Sequence, residues 1–148
     1  MDASDLKSRT MQFALRIIKL VRAISPSVEG RAIANQLVRC GTAVGANYRA
    51  AWKARSRAEF IAKIGVVEEE ADESAFWLEL IVNAGILSQS AVVPLLDEAT
   101  QISKIVGRSR ITAQSRAKSP PVSKPIPSNR QSAIGIRQSI ANKEENNV

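Results

Sequence analysis

The 148-residue chain contains no histidine, a single cysteine, and aromatic residues at only 4% of positions. Each shortage removes a class of chemistry. Without histidine a di-iron bundle built on inward Glu-x-x-His pairs is excluded, and Cys40 has no imidazole to activate it as a nucleophile. One cysteine cannot close an internal disulfide, and in its apolar, glycine-containing stretch Cys40 reads as a small buried hydrophobe. No uncharged run is long enough to span a bilayer. Arg9, Arg16, Lys19 and Arg22 also interrupt any signal-peptide core, so the chain is expected in the cytoplasm with no membrane partner. Strand patterns and glycine-rich phosphate loops are missing as well.

Charge of one sign is missing locally. From Val66 to Ser103 there are eight Asp/Glu and no basic residue, whereas Met1 to Gly65 holds twelve Lys/Arg against four Asp/Glu, and Lys104 to Val148 holds nine against two. The net charge of +7 therefore comes from a segregated pattern. Such segregation favours antiparallel basic and acidic helices side by side, within one subunit or between subunits, and leaves basic surface for an anionic partner.

What is present is helical periodicity. Phe13, Ile17, Leu20 and Ile24 form one stripe of a first helix from Asp5, stopped near Ser25-Pro26 because a residue before proline is pushed out of the helical region. A second helix begins between Pro26 and Gly30 and runs to about Lys53, with Ile33, Leu37, Val44 and Tyr48 on one face. Gly41 and Gly45 beside that face predict close approach of a neighbouring helix, since each costs about 1 kcal/mol against alanine in a helix interior. Ser56-Arg57-Ala58-Glu59 matches a capping box and opens a third helix, expected to be the longest. Its buried face is Phe60, Ile64, Val67, Ala71, Leu78 and Ile81, and Asn83-Ala84-Gly85 offers a left-handed cap. Ser90 is the expected N-cap of a fourth helix, with Pro94 in its first turn and Leu95, Ala99, Ile102 and Val106 buried.

Periodicity fades after Ala113, and four of the six prolines fall between Pro120 and Pro127. The expectation is an all-α, up-down-up-down four-helix bundle over residues 1–113, followed by a disordered, Pro-rich basic tail over 114–148. One feature does not fit a solitary bundle. At 100° per residue Phe76 and Leu80 project about 160° from the core face of the third helix, so a second copy of the chain is expected to cover them.

The run Gln36-Leu37-Val38-Arg39-Cys40-Gly41-Thr42-Ala43-Val44-Gly45-Ala46-Asn47-Tyr48, with Ser56 to Ile64, Glu69 to Glu73 and Trp77-Leu78-Glu79-Leu80, resembles the bacterial family first described from open reading frames in intervening sequences of 23S ribosomal RNA genes. The resemblance covers roughly residues 5–112 and implies a homopentamer of bundles around a central channel and no established enzymatic activity; no cofactor is expected. Related accessory proteins of diversity-generating retroelements imply association with a reverse transcriptase and nucleic acid. The long Pro-rich tail departs from the compact form of the family.

Two surfaces stand out for function. Arg31, Asn35, Arg39, Arg49 and Lys53 recur along the polar side of the second helix, and Arg55, Arg57 and Lys63 extend the band. Its plain reading is a solvated face or one half of an ion-paired contact; its functional reading is a phosphate-binding surface for RNA, DNA or a ribonucleoprotein. With Tyr48 and Trp52 assigned to the core face, no aromatic platform accompanies the band, so backbone-directed binding is expected, extended by Arg116, Lys118, Lys124, Arg130 and Arg137 of the tail. The second surface is Glu68 to Glu73. There Asp72 and Glu73, with Phe76 and Leu80, are assigned to a contact with the basic helix of another subunit. A Mg²⁺-dependent nucleotide pyrophosphohydrolase is the enzymatic rival. It needs inward carboxylates from more than one helix, but the fourth helix offers only Asp97 and Glu98, and no metal site is assigned. A protein-protein adaptor without nucleic acid is the other alternative.

Overall fold

The computed structural model describes residues 3–118 and contains four helices: α1 (Ala3–Val21), α2 (Val28–Ala51), α3 (Arg57–Asn83) and α4 (Gln89–Lys118). Each helix packs on its neighbours in sequence, and α1 closes onto α4 through the thinnest seam. Helices α1 and α3 are diagonal, their Cα atoms nowhere within 8 Å of each other, and so are α2 and α4. This is the up-down-up-down bundle that short connections favour.

Local chemistry sets the ends. Ser27 accepts from the Gly30 amide at 3.0 Å and caps α2, while α1 stops at Val21 and continues to Ile24 only as tight turns, Ala23 donating to Leu20 and Ile24 to Val21. At α3 the Ser56 hydroxyl accepts from the Glu59 amide at 3.1 Å, and the Glu59 carboxylate accepts from the Arg55 amide at 2.8 Å, one residue before the expected reciprocal bond. The far end of α3 is a Schellman cap. Gly85 has φ +66°, its amide donates to Val82, and Ile86 donates to Ile81.

The four predicted stripes form the core. Phe13, Ile17, Leu37, Val44, Ile64, Val67, Leu78, Ile81, Ile102 and Val106 are all below 2% exposed. Where α2 meets α1, the position of a Cβ on Gly41 would lie 2.8 Å from Ile17 Cγ1, and one on Gly45 would lie 3.4 Å from the Thr10 carbonyl. The two glycines therefore mark the close helix approach expected of them. Cys40 and Ser74 fill the matching layer between α2 and α3, the Ser74 hydroxyl donating to the Glu70 carbonyl at 2.7 Å and standing 3.2 Å from Cys40 Sγ.

Several expectations are corrected. The longest helix is α4, not α3, because its C-terminal turns run five residues past Ala113 to Lys118, so the first part of the predicted tail is helical. The rest of that tail lies outside the described residues. Helix α4 begins at Gln89, with Ala91 donating to the Ser88 carbonyl, which places Pro94 in the second turn rather than the first. There its missing N–H removes a bond to Ser90 on an exposed flank. Leu80 is half-buried against the edge of the core rather than turned outward, because α3 packs on both α2 and α4 and its buried arc is correspondingly wide. Phe76 is exposed at 55%, as its position on the wheel requires.

Candidate nucleic-acid interface

Helix α2 carries its cations along its outer side, but they meet different fates along the bundle. Arg31, at the N-terminal end, donates to the Pro26 carbonyl. Arg39, midway, donates to both Glu70 (3.2 Å) and Glu73 across the α2–α3 contact. Glu73 also accepts from the Trp77 indole at 3.1 Å. The Arg39 guanidinium, followed by that indole, holds the Glu73 carboxyl below its ordinary range, and Glu73 raises Arg39 in turn. The basic helix that Glu73 meets within the chain is α2. The reason is topological: α2 and α3 are adjacent in the closed bundle, so the complementary charges meet within it.

Two other cations are also neutralised internally. Arg9 of α1 pairs with Glu98 of α4 at 2.5 Å, and Arg110 of α4 pairs with Glu68 of α3 at 2.7 Å; each guanidinium is pushed up by its carboxylate partner. Asp72 is exposed and lines a shallow groove with Glu68, Glu69, Ser103 and Arg110. No group of three or more Asp, Glu, His or Cys side chains among the described residues is placed to share a metal ion.

Past Arg39 the band changes character. Arg49, Lys53, Arg55 and Arg57 are exposed, Lys63 is half-buried, and none of them makes an ion pair among the described residues. They gather about the turn between α2 and α3. Here the overrunning end of α4 adds Arg116, which shares an open groove of about 400 Å³ with Arg55, Ser56, Arg57, Phe60 and Ala113. Arg116, expected in a flexible tail, stands on a helix.

The same turn holds an aromatic cluster that the sequence reading placed in the core. Trp52 is the C-cap of α2 and is 56% exposed. Its ring contacts Tyr48 edge to face (6.2 Å between centroids, 75°) and Phe60 (5.7 Å, 68°). Tyr48 is buried at 3% exposure, so the cluster runs from core to surface and ends in the indole. Extrapolating the helical stripe four residues from Tyr48 fails because α2 ends at Ala51. Arginines in the turn sequence beside Trp52 were the available signal.

No helix among the described residues is long and apolar enough to cross a membrane. No protein of curated function matches the chain. Among solved structures, a crystal structure of a Bacteroides thetaiotaomicron protein of unknown function from the S23 ribosomal protein family is similar at 30% identity and a TM-score of 0.67, over 71% of this chain and 97% of that one. Residues 3–108 match the family model described as 23S rRNA-intervening sequence protein. That match starts with α1, passes through the glycine-marked contact of α1 with α2 and the capped start of α3, and extends well into α4, so the chain belongs to the family of 23S rRNA-intervening sequence proteins.

Proposed function

We propose that this protein is a non-enzymatic, ring-forming scaffold that associates with nucleic acid or a ribonucleoprotein. The observation that carries the reading is the gathering of Arg49, Lys53, Arg55, Arg57 and Arg116 around one end of the bundle without carboxylate partners among the described residues. Cations so placed neutralise phosphates and release counterions, which gives affinity that falls steeply with salt. Charge reversal of Arg49, Lys53, Arg55 and Arg57 should abolish RNA binding at moderate salt, whereas Arg39→Gln, which removes an internally paired cation, should change it little. Unaltered binding in the fourfold reversal would remove this surface from the proposal. A chain that forms rings yet binds neither RNA nor DNA would be a protein-protein adaptor instead.

Self-association is supported by exposed apolar side chains on two diagonal helices. Met11 and Leu15, four apart on the outer side of α1, are 45% and 50% exposed, and Phe76 on α3 is 55% exposed. In a closed bundle these helices are diagonal, so the two faces are separate surfaces of one chain. Two different faces on one chain suit a head-to-tail contact, α1 of one subunit on α3 of the next, which gives a ring where the rotation between successive subunits closes and a filament where it does not; the family resemblance implies a closed ring of five. Leu15→Glu and Phe76→Glu should each dissociate the ring in sedimentation experiments, and mixing the two variants should restore one heterologous contact. If only Phe76→Glu dissociates the assembly, the contact is a symmetric dimer and the ring is wrong.

A further inference from the structure

Resting on the nucleic-acid reading above, we propose that the end of the bundle at the α2–α3 turn is a site for single-stranded nucleic acid, with an unpaired base stacked on Trp52 and flanking phosphates held by Arg55, Arg57 and Arg116. Two independent observations converge there. The first is the open groove lined by three arginines, about 400 Å³ in volume. The second is the indole itself. Its backbone is fixed as a helix cap and its ring is steadied by Tyr48 and Phe60, yet more than half of it is exposed. Phe60 joins the two, since it touches Trp52 and also lines the groove.

The chemistry selects among occupants. An acidic peptide would satisfy the arginines but leave the indole without a role. A duplex hides its base faces, so stacking on an exposed aromatic ring requires an unstacked base, and sequence-tolerant binding of single strands combines a basic groove with such a platform. The chain's own residues 119–148 carry four basic and two acidic side chains, a poor complement for three arginines. A neighbouring subunit is less suited as well. Phe76 lies sixteen residues along α3 from Phe60, about 24 Å at 1.5 Å per residue, so the outward α3 face is separate from this end, while on the other side Met11 of the α1 face borders Arg49 but none of the groove's residues.

The test uses the full-length chain, a short labelled oligouridylate and a fully paired RNA hairpin, with binding followed by anisotropy and by indole fluorescence in a Trp77→Phe background. The oligouridylate is expected to quench Trp52, and Trp52→Ala to weaken its binding about five- to hundredfold, the range for one stacked base, with hairpin affinity nearly unchanged. Trp52→Phe should keep most of the affinity. Joint Arg55→Gln, Arg57→Gln and Arg116→Gln should weaken both RNAs and flatten the salt dependence. Circular dichroism and the sedimentation behaviour of each variant separate binding loss from unfolding. Hairpin and oligouridylate binding that leaves the indole unquenched and ignores Trp52→Ala would overturn the site while sparing the general function. Equal competition by inorganic polyphosphate would reduce the site to its arginines and overturn the stacking. Failure to bind either RNA would overturn both.

Discussion

Midway along the α2–α3 contact, Arg39 is fixed by Glu70 and Glu73 above a layer of small buried groups, Cys40 and Ser74. Past the end of α2, which lies about 18 Å beyond Arg39 at 1.5 Å per residue, Arg55 and Arg57 stand without carboxylates close to an exposed indole. Both regions read as equally basic in a charge count. What separates them is whether the acidic stretch folds back onto them: Glu68 to Glu73 reaches Arg39 and Arg110, whereas the N-terminal turns of α3 supply only Glu59, whose carboxylate accepts from the Arg55 backbone amide. Basic surface is located by subtraction of internal partners. The middle of the bundle is organised for packing, and the end has the features of a surface that meets an anion.

If that division holds, the largest stability losses come from the middle. Leu78 is completely buried, and Leu78→Ala should cost about 2–5 kcal/mol in urea unfolding. Trp52→Ala, despite deleting a larger side chain, should cost clearly less because more than half of that side chain is already in water. Equal losses would make the end part of the core and dissolve the contrast.

A smaller effect sharpens it. Gly41→Ala places a methyl 2.8 Å from Ile17 Cγ1 between two packed helices, and overpacking of this kind costs about 1–3 kcal/mol. Gly65→Ala meets nothing nearer than Arg110 Cδ at 3.6 Å, so the helix preference for alanine should make it neutral or stabilising by up to about 1 kcal/mol. Thermal unfolding of the two variants side by side reads the difference, and a stable Gly41→Ala would show that α1 can move away from α2.

The middle of the bundle was the more legible region. Period 3.6 names the buried faces, Ser56 and Glu59 announce the start of α3, Gly85 its end, and Gly41 and Gly45 the close contact with α1. The misreadings cluster where a helix ends or where two neighbours share it. Trp52 continues the stripe of Tyr48 only if α2 continues, and it stops one residue earlier. Arg116 sits on a stretch of α4 with alanines but no apolar stripe, where the helix outruns its partners and periodicity carries no signal. Leu80 is covered because α3 touches two helices, a fact of topology that a single-helix wheel omits. For Glu73 the charge and a complementary helix are legible, but not whether the two meet within one chain.

The smallest expected effect tests the electrostatics of the middle directly. The folded-state carboxyl of Glu73 lies below its ordinary value of 4.5, chiefly because Arg39 donates to its charged form and secondarily because Trp77 does. A depressed folded value means that the charged form is favoured by folding. The contribution is therefore fully present above the unfolded value and is lost as pH falls through the folded one. Because the Glu73 side chain is 37% exposed, solvent and salt screen the pair, and the effect belongs with surface ion pairs rather than buried ones. Arg39→Met should then be slightly less stable than the parent near neutral pH, and the gap should close on acidification below about pH 4 and shrink in high salt. The same substitution should leave RNA affinity almost unchanged, since its charge is already matched within the chain. A gap that persists in acid would mean that the Arg39 guanidinium acts through a neutral partner such as Gln36, whose side-chain oxygen accepts from its Nε at 3.2 Å, and a large loss of RNA affinity would mean that the paired middle and the open end form one surface.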